Sequence, residues 1–431
     1  MPKSPRAAIF MAYWPLHSNV CYLASGLAAA GWRIELFLCE ASERFSGDLL
    51  PAGPAVTVHR IRSDRESAPG RKPGPFGAAE ILRKIRDKAE GRFRRTRFAT
   101  RVDDFWERVC RRLWPAYGLL PKGAAAAIVQ EAKREPYFLL IGVEKGGLAW
   151  AGAVAARTRT PLCYYSLELY TWDHPWIKSS LWMQRFKVLE GRYHRRCAAT
   201  LIQDQPRGEA LLADNGVRSP MRMAYLPICL SGPPCQIPSR WLQDKLNLPA
   251  EEKLILSYGE VSERRLSLDL ARLAQSFPQG WRLVFHGFGE AEAVDRIRAI
   301  DGGNRISLSL TLVPAQQRQE LVRSAHVGLA LYGRTNLNDT LTGMSSEKIA
   351  MYLQCGLPLI AFRYPSYEHI EAEGAGILID RPEEIPAAVG RILGDYPAYV
   401  RNAFSCYRKH YCFEDNFGPV LAELAAAGGA P

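Results

Sequence analysis

Residues 343–361 read GMSSEKIAMYLQCGLPLIA, which we interpret as a loop, a short helix and an apolar strand. Ser345 or Ser346 can cap the helix, and Glu347 in its first turn suits the positive end of the helix dipole. A helix N-terminus that opens into a cleft binds phosphate through its free N–H groups, and Lys348 adds a positive charge there. The local chemistry therefore fits either a phosphate site or an ordinary capped helix between two strands.

Working outward, strands and helices alternate on both sides of this stretch. In the second half we predict strands at 253–259, 281–287, 305–310, 326–333, 357–362 and 376–380, with helices at 266–277, 290–300, 315–324 and 346–355. In the first half we predict strands at 7–14, 32–40, 55–61, 137–143, 162–169 and 199–204, with helices at 19–30, 123–134, 148–157 and 181–197. Such alternation predicts parallel sheets with helices on both faces, that is, an α/β fold.

A proline-rich segment separates the two runs of alternation. It reads PICLSGPPCQIPS from residue 227, a composition typical of a connection between domains. We predict an N-terminal Rossmann-like domain at 1–226, a linker at 227–240 and a C-terminal Rossmann-like domain at 241–400. A helical segment at 401–431 follows, and we expect it to pack back on the N-terminal domain.

The net charge of +12 is concentrated in one segment. Residues 71–112 hold 14 basic and six acidic side chains, so eight of the twelve net charges lie there. We predict a basic helical insert at about 71–114. Its Phe and Trp residues between basic ones fit peripheral contact with an anionic membrane through 78–112, or a solvated helical pair. No nucleic-acid-binding module accompanies the charge, so we expect no nucleic-acid partner.

The ten cysteines are scattered, without a CxxC pair or a histidine cluster at zinc spacing. Reduced thiols in a cytoplasmic protein are the expectation, and no metal site is predicted.

The pattern Ser-x-Lys, helix, Cys-Gly-x-Pro in 343–361 resembles the donor-binding segment of glycosyltransferases with the two-domain GT-B fold, closest to the family 4 enzymes and their relatives. Three further elements resemble that family in the same order, at 253–265, 281–290 and 313–333. The resemblance implies two Rossmann-like domains facing across a cleft. It also implies a nucleotide-sugar donor, which is a substrate rather than a cofactor.

The resemblance assigns donor binding to residues of the second domain. These are Gly259, Arg264, Arg265, His286, Gly287, Gly289, Ser345, Ser346, Glu347 and Lys348. Arg264, Arg265 and Lys348 would neutralise the diphosphate leaving group as the glycosidic bond breaks. With these cations in place, a metal ion is not required.

The sequence departs from the family at one motif. Many retaining family 4 enzymes carry Glu-x7-Glu, whose second Glu holds the donor ribose; the corresponding positions here are Gly343 and Met351. Both carboxylates are absent, and Glu347 is not a direct substitute for either. Whether the enzyme retains or inverts the anomeric configuration is therefore left open.

Three predicted loops of the first domain carry titratable groups at the expected acceptor edge of the sheet, at 15–19, 144–147 and 166–174. Our candidates for a catalytic base are Glu168 first, then Glu144, then His17. Each could equally be a satisfied or solvated polar group.

The sequence thus predicts a glycosyltransferase that moves a sugar from a nucleotide donor to a hydroxyl of a lipid-linked or cell-surface glycan. Such a role belongs to polysaccharide biosynthesis at the cell envelope, on the cytoplasmic side of the plasma membrane. A sugar-nucleotide epimerase of the same fold and a catalytically silent scaffold are the alternatives.

Overall fold

The computed structural model describes residues 4–39, 50, 53–61, 120–218 and 220–429. The basic insert predicted at about 71–114 lies outside these ranges. The chain divides into two compact units: unit 1 comprises residues 1–225 and 419–431, and unit 2 comprises residues 226–418.

Unit 1 is built on a parallel sheet of seven described strands in the order β3-β2-β1-β4-β5-β6-β7. The strands are β1 Arg6–Met11, β2 Arg33–Cys39, β3 Val56–Ile61, β4 Leu139–Val143, β5 Leu162–Tyr165, β6 Ala199–Ile202 and β7 Arg222–Tyr225. Every residue of β1 and β4 is buried, as expected of central strands covered on both faces. The strand order reverses between β1 and β4, which makes their carboxyl ends the switch point of this sheet.

The described helices of unit 1 connect these strands. They are α1 Ser18–Ala29, α2 Lys122–Arg134, α3 Glu144–Thr158, α4 Pro175–Ser179, α5 Leu181–His194 and α6 Gln205–Asp214. Glycines let α3 approach the sheet closely, because a Cβ at Gly147 would lie 2.0 Å from the carbonyl oxygen of Phe10 and one at Gly146 would lie 2.2 Å from that of Ala12. The carboxyl edge of the sheet at the switch point is therefore filled by the start of α3.

Unit 2 repeats this plan with a parallel sheet of six described strands in the order β10-β9-β8-β11-β12-β13. The strands are β8 Lys253–Val261, β9 Trp281–Gly289, β10 Ile306–Ser309, β11 Val327–Ala330, β12 Leu359–Phe362 and β13 Gly376–Ile379. The switch point lies between β8 and β11. The pair β8–β9 runs in register from Lys253 opposite Trp281 to Val261 opposite Gly289.

The helices of unit 2 cover both faces of its sheet. They are α7 Trp241–Leu246, α8 Ser267–Ala274, α9 Ala291–Ile300, α10 Ala315–Arg323, α11 Leu337–Thr340, α12 Glu347–Gln354, α13 Glu368–Ala372, α14 Ile385–Gly394 and α15 Tyr396–His410. A last helix, α16 Phe413–Ala427, begins in unit 2 and ends in unit 1.

The predicted α/β class and parallel sheets are confirmed, and the strand predictions fall within a few residues of the observed strands. Two details were wrong. Residues 144–147, predicted as a loop, form the first turn of α3. Strand β7 was missed, because its sequence RMAY is short and only one of its four residues is fully buried.

The segments that flank unit 2 are held by backbone hydrogen bonds. Within 227–240, predicted as a linker, the Leu230 N–H donates to the Tyr411 carbonyl and the Cys235 N–H donates to the Gln354 carbonyl. These bonds tie the segment to α12 and to the loop after α15. Of the predicted helical segment 401–431, residues 401–418 belong to unit 2 and the remainder to unit 1.

Candidate functional site

A cavity of about 550 Å³ opens at the carboxyl ends of β8, β9 and β11 in unit 2. It is lined by Ser257, Tyr258, Gly259, Glu260, Arg264, Arg265, Leu270, His286, Gly287, Phe288, Leu312, Val313, Arg318, Leu329, Leu331, Tyr332, Glu347, Lys348 and Met351. The cavity thus lies at the switch point, where open α/β sheets bind ligands. Its volume is in the range of small-molecule sites.

Two facing glycines shape the floor of this cavity. Gly259 on β8 is in register with Gly287 on β9, and their φ angles are 121° and 141°. A Cβ at Gly287 would lie 2.1 Å from the Gly259 carbonyl oxygen, so no larger residue fits there without moving a strand. The strand ends consequently approach each other closely and expose backbone to the cavity.

Two arginines follow β8 in the turn Glu263–Arg265. The Arg264 Nη2 lies 2.5 Å and the Arg265 Nε 3.6 Å from Oε2 of Glu260. Burial alone would raise the pKa of Glu260, but the hydrogen bond from Arg264 and the charges of both arginines lower it. Glu260 thus pairs with both guanidinium groups, and the Arg265 Nη1 also lies 3.6 Å from Oδ1 of the buried Asp339.

Tyr332, just after β11, contacts both Arg265 and a third cation, Lys348. The Arg265 guanidinium lies 4.8 Å, and the Lys348 Nζ 4.9 Å, from the centroid of its ring, which is cation–π distance. Burial, followed by the charge of Arg265, lowers the pKa of Lys348 to about 7. Among the described residues no carboxylate forms an ion pair with Lys348.

The start of α12 is fixed by Ser346. Its Oγ accepts a hydrogen bond from the Ile349 N–H and lies 2.7 Å from the Tyr332 hydroxyl oxygen. This cap sets the N-terminus of the helix beside Tyr332, so Lys348 in the first turn reaches the ring.

The two positions at which family 4 enzymes carry glutamates differ sharply from each other. A Cβ at Gly343 would lie 1.8 Å from the Ser366 carbonyl oxygen, so this position has no room for a side chain. Met351, by contrast, lines the cavity and is 5% exposed. Glu347 lines the cavity one helical turn earlier, and its Oε1 lies 3.6 Å from the Arg318 Nη1.

His286 on β9 contributes a neutral ring. Its Nδ1 lies 2.9 Å from the Ser309 Oγ, and burial lowers its pKa to about 4. It therefore adds hydrogen-bonding capacity rather than charge near pH 7.

The cavity brings together seven of the ten donor-binding residues that the sequence predicted: Gly259, Arg264, Arg265, His286, Gly287, Glu347 and Lys348. Gly289 instead packs under α9, where a Cβ would lie 2.6 Å from Val294 Cγ2. Ser345 hydrogen-bonds back to the Leu341 carbonyl, and Ser346 acts as the helix cap. Sequence reasoning missed Tyr332 and Arg318, although both lie in the stretch 313–333 that carried the resemblance.

At the switch point of unit 1, Glu144 lies in a strained turn directly after β4. Its φ is 53°, and its carboxylate is buried. Oε1 accepts hydrogen bonds from the backbone N–H groups of Leu167 at 2.6 Å and Glu168 at 2.8 Å. Burial raises the pKa of Glu144. This side chain thus holds the loop after β5 that carries Glu168.

A chain of buried ion pairs extends from Glu144. The Lys145 Nζ lies 3.7 Å from Oε2 of Glu144 and 3.7 Å from Oε1 of Glu190. Lys187 in turn lies 2.7 Å from Oε2 of Glu190 and also pairs with Asp214. Burial would raise the pKa of Glu190, but Lys145 and Lys187 outweigh it and hold that pKa at about 2.

The three candidates for a catalytic base have different surroundings. Glu168 is half-buried beside Glu144, so these two predicted residues are brought together. His17 caps α1, where its Nδ1 accepts a hydrogen bond from the Asn19 N–H.

One group among the described residues could offer three metal-binding atoms: Glu373, Cys406 and His410. Oε1 of Glu373 already receives His410 at 2.6 Å and Lys409 at 2.7 Å. None of these residues lines the cavity. Within the described ranges, no helix is long and apolar enough to cross a membrane.

No protein-family model matches the chain, and no curated protein matches it in sequence. Solved structures match it over almost its whole length. HepE from Anabaena, in complex with UDP and glucose, superposes with a TM-score of 0.62 at 14% identity, covering 98% of this chain and 100% of that chain. Sucrose-phosphate synthase from Thermosynechococcus elongatus gives 0.60 at 17% identity, with the same coverage.

Two further structures bear on function. WaaG, a glycosyltransferase involved in lipopolysaccharide biosynthesis, gives a TM-score of 0.57 at 14% identity, covering 98% of this chain and 100% of that chain. A proposed UDP-N-acetylglucosamine 2-epimerase from Listeria monocytogenes gives 0.55 at 14% identity, covering 98% and 96%. Likeness at these identities shows the fold: this chain has the two-unit α/β architecture of the GT-B fold.

Proposed function

We propose that the protein is a glycosyltransferase that uses a nucleotide-sugar donor. One observation carries this proposal: Arg264, Arg265 and Lys348 converge on a cavity whose floor is the glycine pair at the switch point of unit 2. A diphosphate brings about two negative charges to such a site. That HepE was solved with UDP and glucose supports a UDP-sugar as the donor class.

The same cations would assist the reaction as well as binding. Negative charge develops on the diphosphate as the glycosidic bond breaks, and fixed positive charge in a partly dry cavity stabilises it. Arg265 and Lys348 are held on Tyr332 before any ligand arrives, so little reorganisation is needed. We therefore expect activity without a divalent cation, and EDTA should leave the rate unchanged.

For the acceptor, we propose a hydroxyl of a lipid-linked or cell-surface glycan at the cytoplasmic face of the membrane. The involvement of WaaG in lipopolysaccharide biosynthesis supports this class of acceptor. Residues 78–112, outside the described ranges, would contact the anionic leaflet through their basic and aromatic side chains. Flotation with anionic liposomes tests this contact, since a deletion of 78–112 should abolish it and unchanged flotation would exclude the segment as the anchor.

Glu168 is the proposed base for the acceptor hydroxyl if the reaction inverts configuration. Its half-buried position after β5, on a loop held by Glu144, supports this order of candidates. Glu144 comes second because both backbone bonds occupy its Oε1, and His17 third because its ring caps a helix.

Calorimetric titration with UDP and a panel of UDP-sugars tests the proposal. We expect wild-type binding, and a loss of about tenfold to hundredfold for Arg265→Ala and for Lys348→Ala, because each removes a charged hydrogen-bond donor. Arg298→Ala is the matched control, since Arg298 pairs with Asp295 on the exposed face of α9. Equal affinity of the wild type and all three variants would overturn the assignment of this cavity as the donor site.

A sugar-nucleotide epimerase is the second candidate, favoured by the fold it shares with the Listeria protein. An epimerase converts the donor without any acceptor, whereas a transferase requires one. Incubating the purified protein with donor alone separates them, because accumulation of an epimer would replace our proposal. A silent scaffold would neither hydrolyse nor transfer the donor.

A further inference from the structure

A second cavity in unit 2, of about 360 Å³, opens at the edge of the sheet opposite the first. Its lining includes His326, which directly precedes β11, and Leu357, which lies just before β12, so the cavity is at the amino ends of these strands. Cys235 and Cys355 both line it. The two cavities share no lining residue, and the function proposed above does not use the second one.

The backbone brings these two cysteines together. The Cys235 N–H donates at 2.8 Å to the carbonyl of Gln354, the residue before Cys355. Standard bond lengths then keep the two Cα atoms within about 7 Å of each other, and disulfides span Cα separations of about 4.4–6.8 Å. Arg323 holds the same segment, because its guanidinium donates to the Ile237 carbonyl. The segment that carries Cys235 is therefore fixed against the end of α12.

The two thiols differ in how easily an oxidant can reach them. Cys235 is half-buried at the cavity, whereas Cys355, directly after α12, is buried. Burial, followed by the neighbouring Cys235, raises the pKa of Cys355 to about 12 against the opposing charge of Arg323. Cys355 is therefore a protonated thiol near neutral pH, and Cys235 is the thiol that a small oxidant meets first.

Two other pairs of described cysteines lie close together: Cys163 with Cys197, and Cys229 with Cys412. Burial raises the pKa of Cys197 and of Cys229, and the second thiol of each pair raises it further. Cys163 and Cys229 are fully buried, and none of these four residues lines either cavity. Proximity is thus common to three pairs, but access through a cavity distinguishes the pair at the second cavity.

We propose that Cys235 and Cys355 form a redox modification site, at which a hydroperoxide converts the two thiols into a disulfide. With hydrogen peroxide, the Cys235 thiolate attacks one oxygen, so that an S–O bond forms, the O–O bond breaks and the other oxygen leaves as water. The Cys355 sulfur then attacks the sulfenic acid on Cys235, which forms the S–S bond and expels the hydroxyl with the thiol proton as a second water. The two thiols lose two electrons and two protons, and the peroxide takes up both.

The disulfide joins the C-terminal end of α12 to the segment 227–240. It lies at the sheet edge opposite the cavity that contains Arg265 and Lys348, so it removes no group from that cavity. The inference therefore goes beyond the proposed function and does not depend on it.

The test treats the full chain with hydrogen peroxide, blocks the remaining thiols with N-ethylmaleimide and maps the digested protein by mass spectrometry. We expect a pair of peptides joined through Cys235 and Cys355, and we expect dithiothreitol to separate them. Because the bond closes the long loop from residue 235 to residue 355, the oxidised chain should also migrate faster in non-reducing denaturing electrophoresis.

Cys235→Ser and Cys355→Ser should each abolish the joined peptides and the faster migration. Cys197→Ser is the matched control and should keep both signals, because Cys197 is also half-buried beside a second cysteine but lines neither cavity. Thermal unfolding confirms that each variant is folded, and the half-buried Cys235→Ser decides the test if the buried Cys355→Ser does not fold.

Three outcomes would overturn the site. The first is that the wild type keeps both thiols under conditions that oxidise free cysteine. The second is that peroxide joins a different pair, such as Cys163 and Cys197. The third is that Cys235 proceeds to the sulfinic acid without bonding to Cys355, which would show that the two sulfurs do not meet. All three are measured without a nucleotide, so they leave the proposed function unaffected.

Discussion

The switch points of the two sheets use charge in opposite ways. In unit 2, Arg265 and Lys348 share the ring of Tyr332 and line an open cavity. In unit 1, Lys145 and Glu190 are fully buried and pair with other buried charges. The same strand order therefore supports a cavity with unbalanced positive charge in one unit and an internally neutralised network in the other.

Glycine explains much of this difference. Gly259 and Gly287 leave backbone bare at the floor of the unit 2 cavity. Gly146 and Gly147 do the reverse in unit 1, where they let α3 close onto the strand ends. In both units glycine therefore marks a close approach of backbone, between the strands β8 and β9 in unit 2 and between the first turn of α3 and the end of β1 in unit 1.

The largest expected effect is on catalysis at the unit 1 edge. Glu168→Gln should lower kcat by about a hundredfold to ten-thousandfold if Glu168 is the base, the range for general-base catalysis. Glu144→Gln should cost far less, because the amide oxygen can still accept the two backbone hydrogen bonds. Steady-state kinetics with a saturating donor measures both, and a larger loss in Glu144→Gln would reverse the assignment of roles.

The buried network should matter chiefly for stability. Glu190→Ala leaves Lys145 and Lys187 each with one carboxylate fewer, and removing one partner of a buried ion pair costs about 3–5 kcal/mol of the free energy of unfolding. Asp173→Ala is the control, since its pair with Lys178 is exposed and should contribute at most about 1 kcal/mol. Urea denaturation followed by tryptophan fluorescence compares them, and equal losses would mean that the network is not the distinguishing feature of unit 1.

The glycine floor offers a sharper comparison within unit 2. Gly287→Ala places a Cβ against the Gly259 carbonyl and should cost about 1–3 kcal/mol, as overpacking does. Gly259→Ala shares the positive φ but has open space around its Cβ, so it measures the conformational cost alone. Thermal unfolding of the two variants gives the steric cost as the difference between their losses of stability. Equal losses would show that the close contact at Gly287 costs nothing.

The smallest effect is a dependence of nucleotide affinity on pH. The group concerned is Lys348, whose pKa of about 7 means that the charged form dominates below pH 7 and the neutral form above it. Since the diphosphate binds the charged form, affinity for UDP should fall about tenfold between pH 7 and 8.5, because only a fraction of the protein is then competent to bind.

Lys348→Arg is the control for this pH dependence. Arginine stays protonated throughout this range, so the variant should show a nearly flat profile over the same interval. Titrations in matched buffers measure both proteins, and a flat profile in the wild type would show that Lys348 is charged in the empty cavity.

Much of the fold and of the candidate site could be predicted from the sequence. Buried strands such as Leu139–Val143 are continuous apolar runs, and in 343–361 the serines, lysine and glycine mark the ends of α12. Seven predicted residues meet in one cavity because each lies near or after the carboxyl end of a strand of the same sheet, so order along the chain carries over into space.

The other features of the two sites depend on contacts between residues that are far apart in the chain, and the spacing of residues in the sequence does not reveal such contacts. Nothing near Glu144 in the sequence indicates that its Oε1 binds the backbone after β5, more than twenty residues later. The Arg265–Tyr332 contact is likewise long-range. Glu347 lies at neither of the two positions, 343 and 351, at which the family carries glutamates. Only the helix geometry shows that Glu347 lies on the same face of α12 as Met351.

The contact at Gly343 bears on how this site could change during evolution or engineering. A carboxylate at position 351 needs only a substitution within the cavity wall, but one at position 343 must first displace the Ser366 backbone, 1.8 Å from any Cβ. The two positions are therefore not equally open to substitution. A glutamate could be placed at position 351 in a single step, whereas one at position 343 requires the 365–367 turn to be rebuilt.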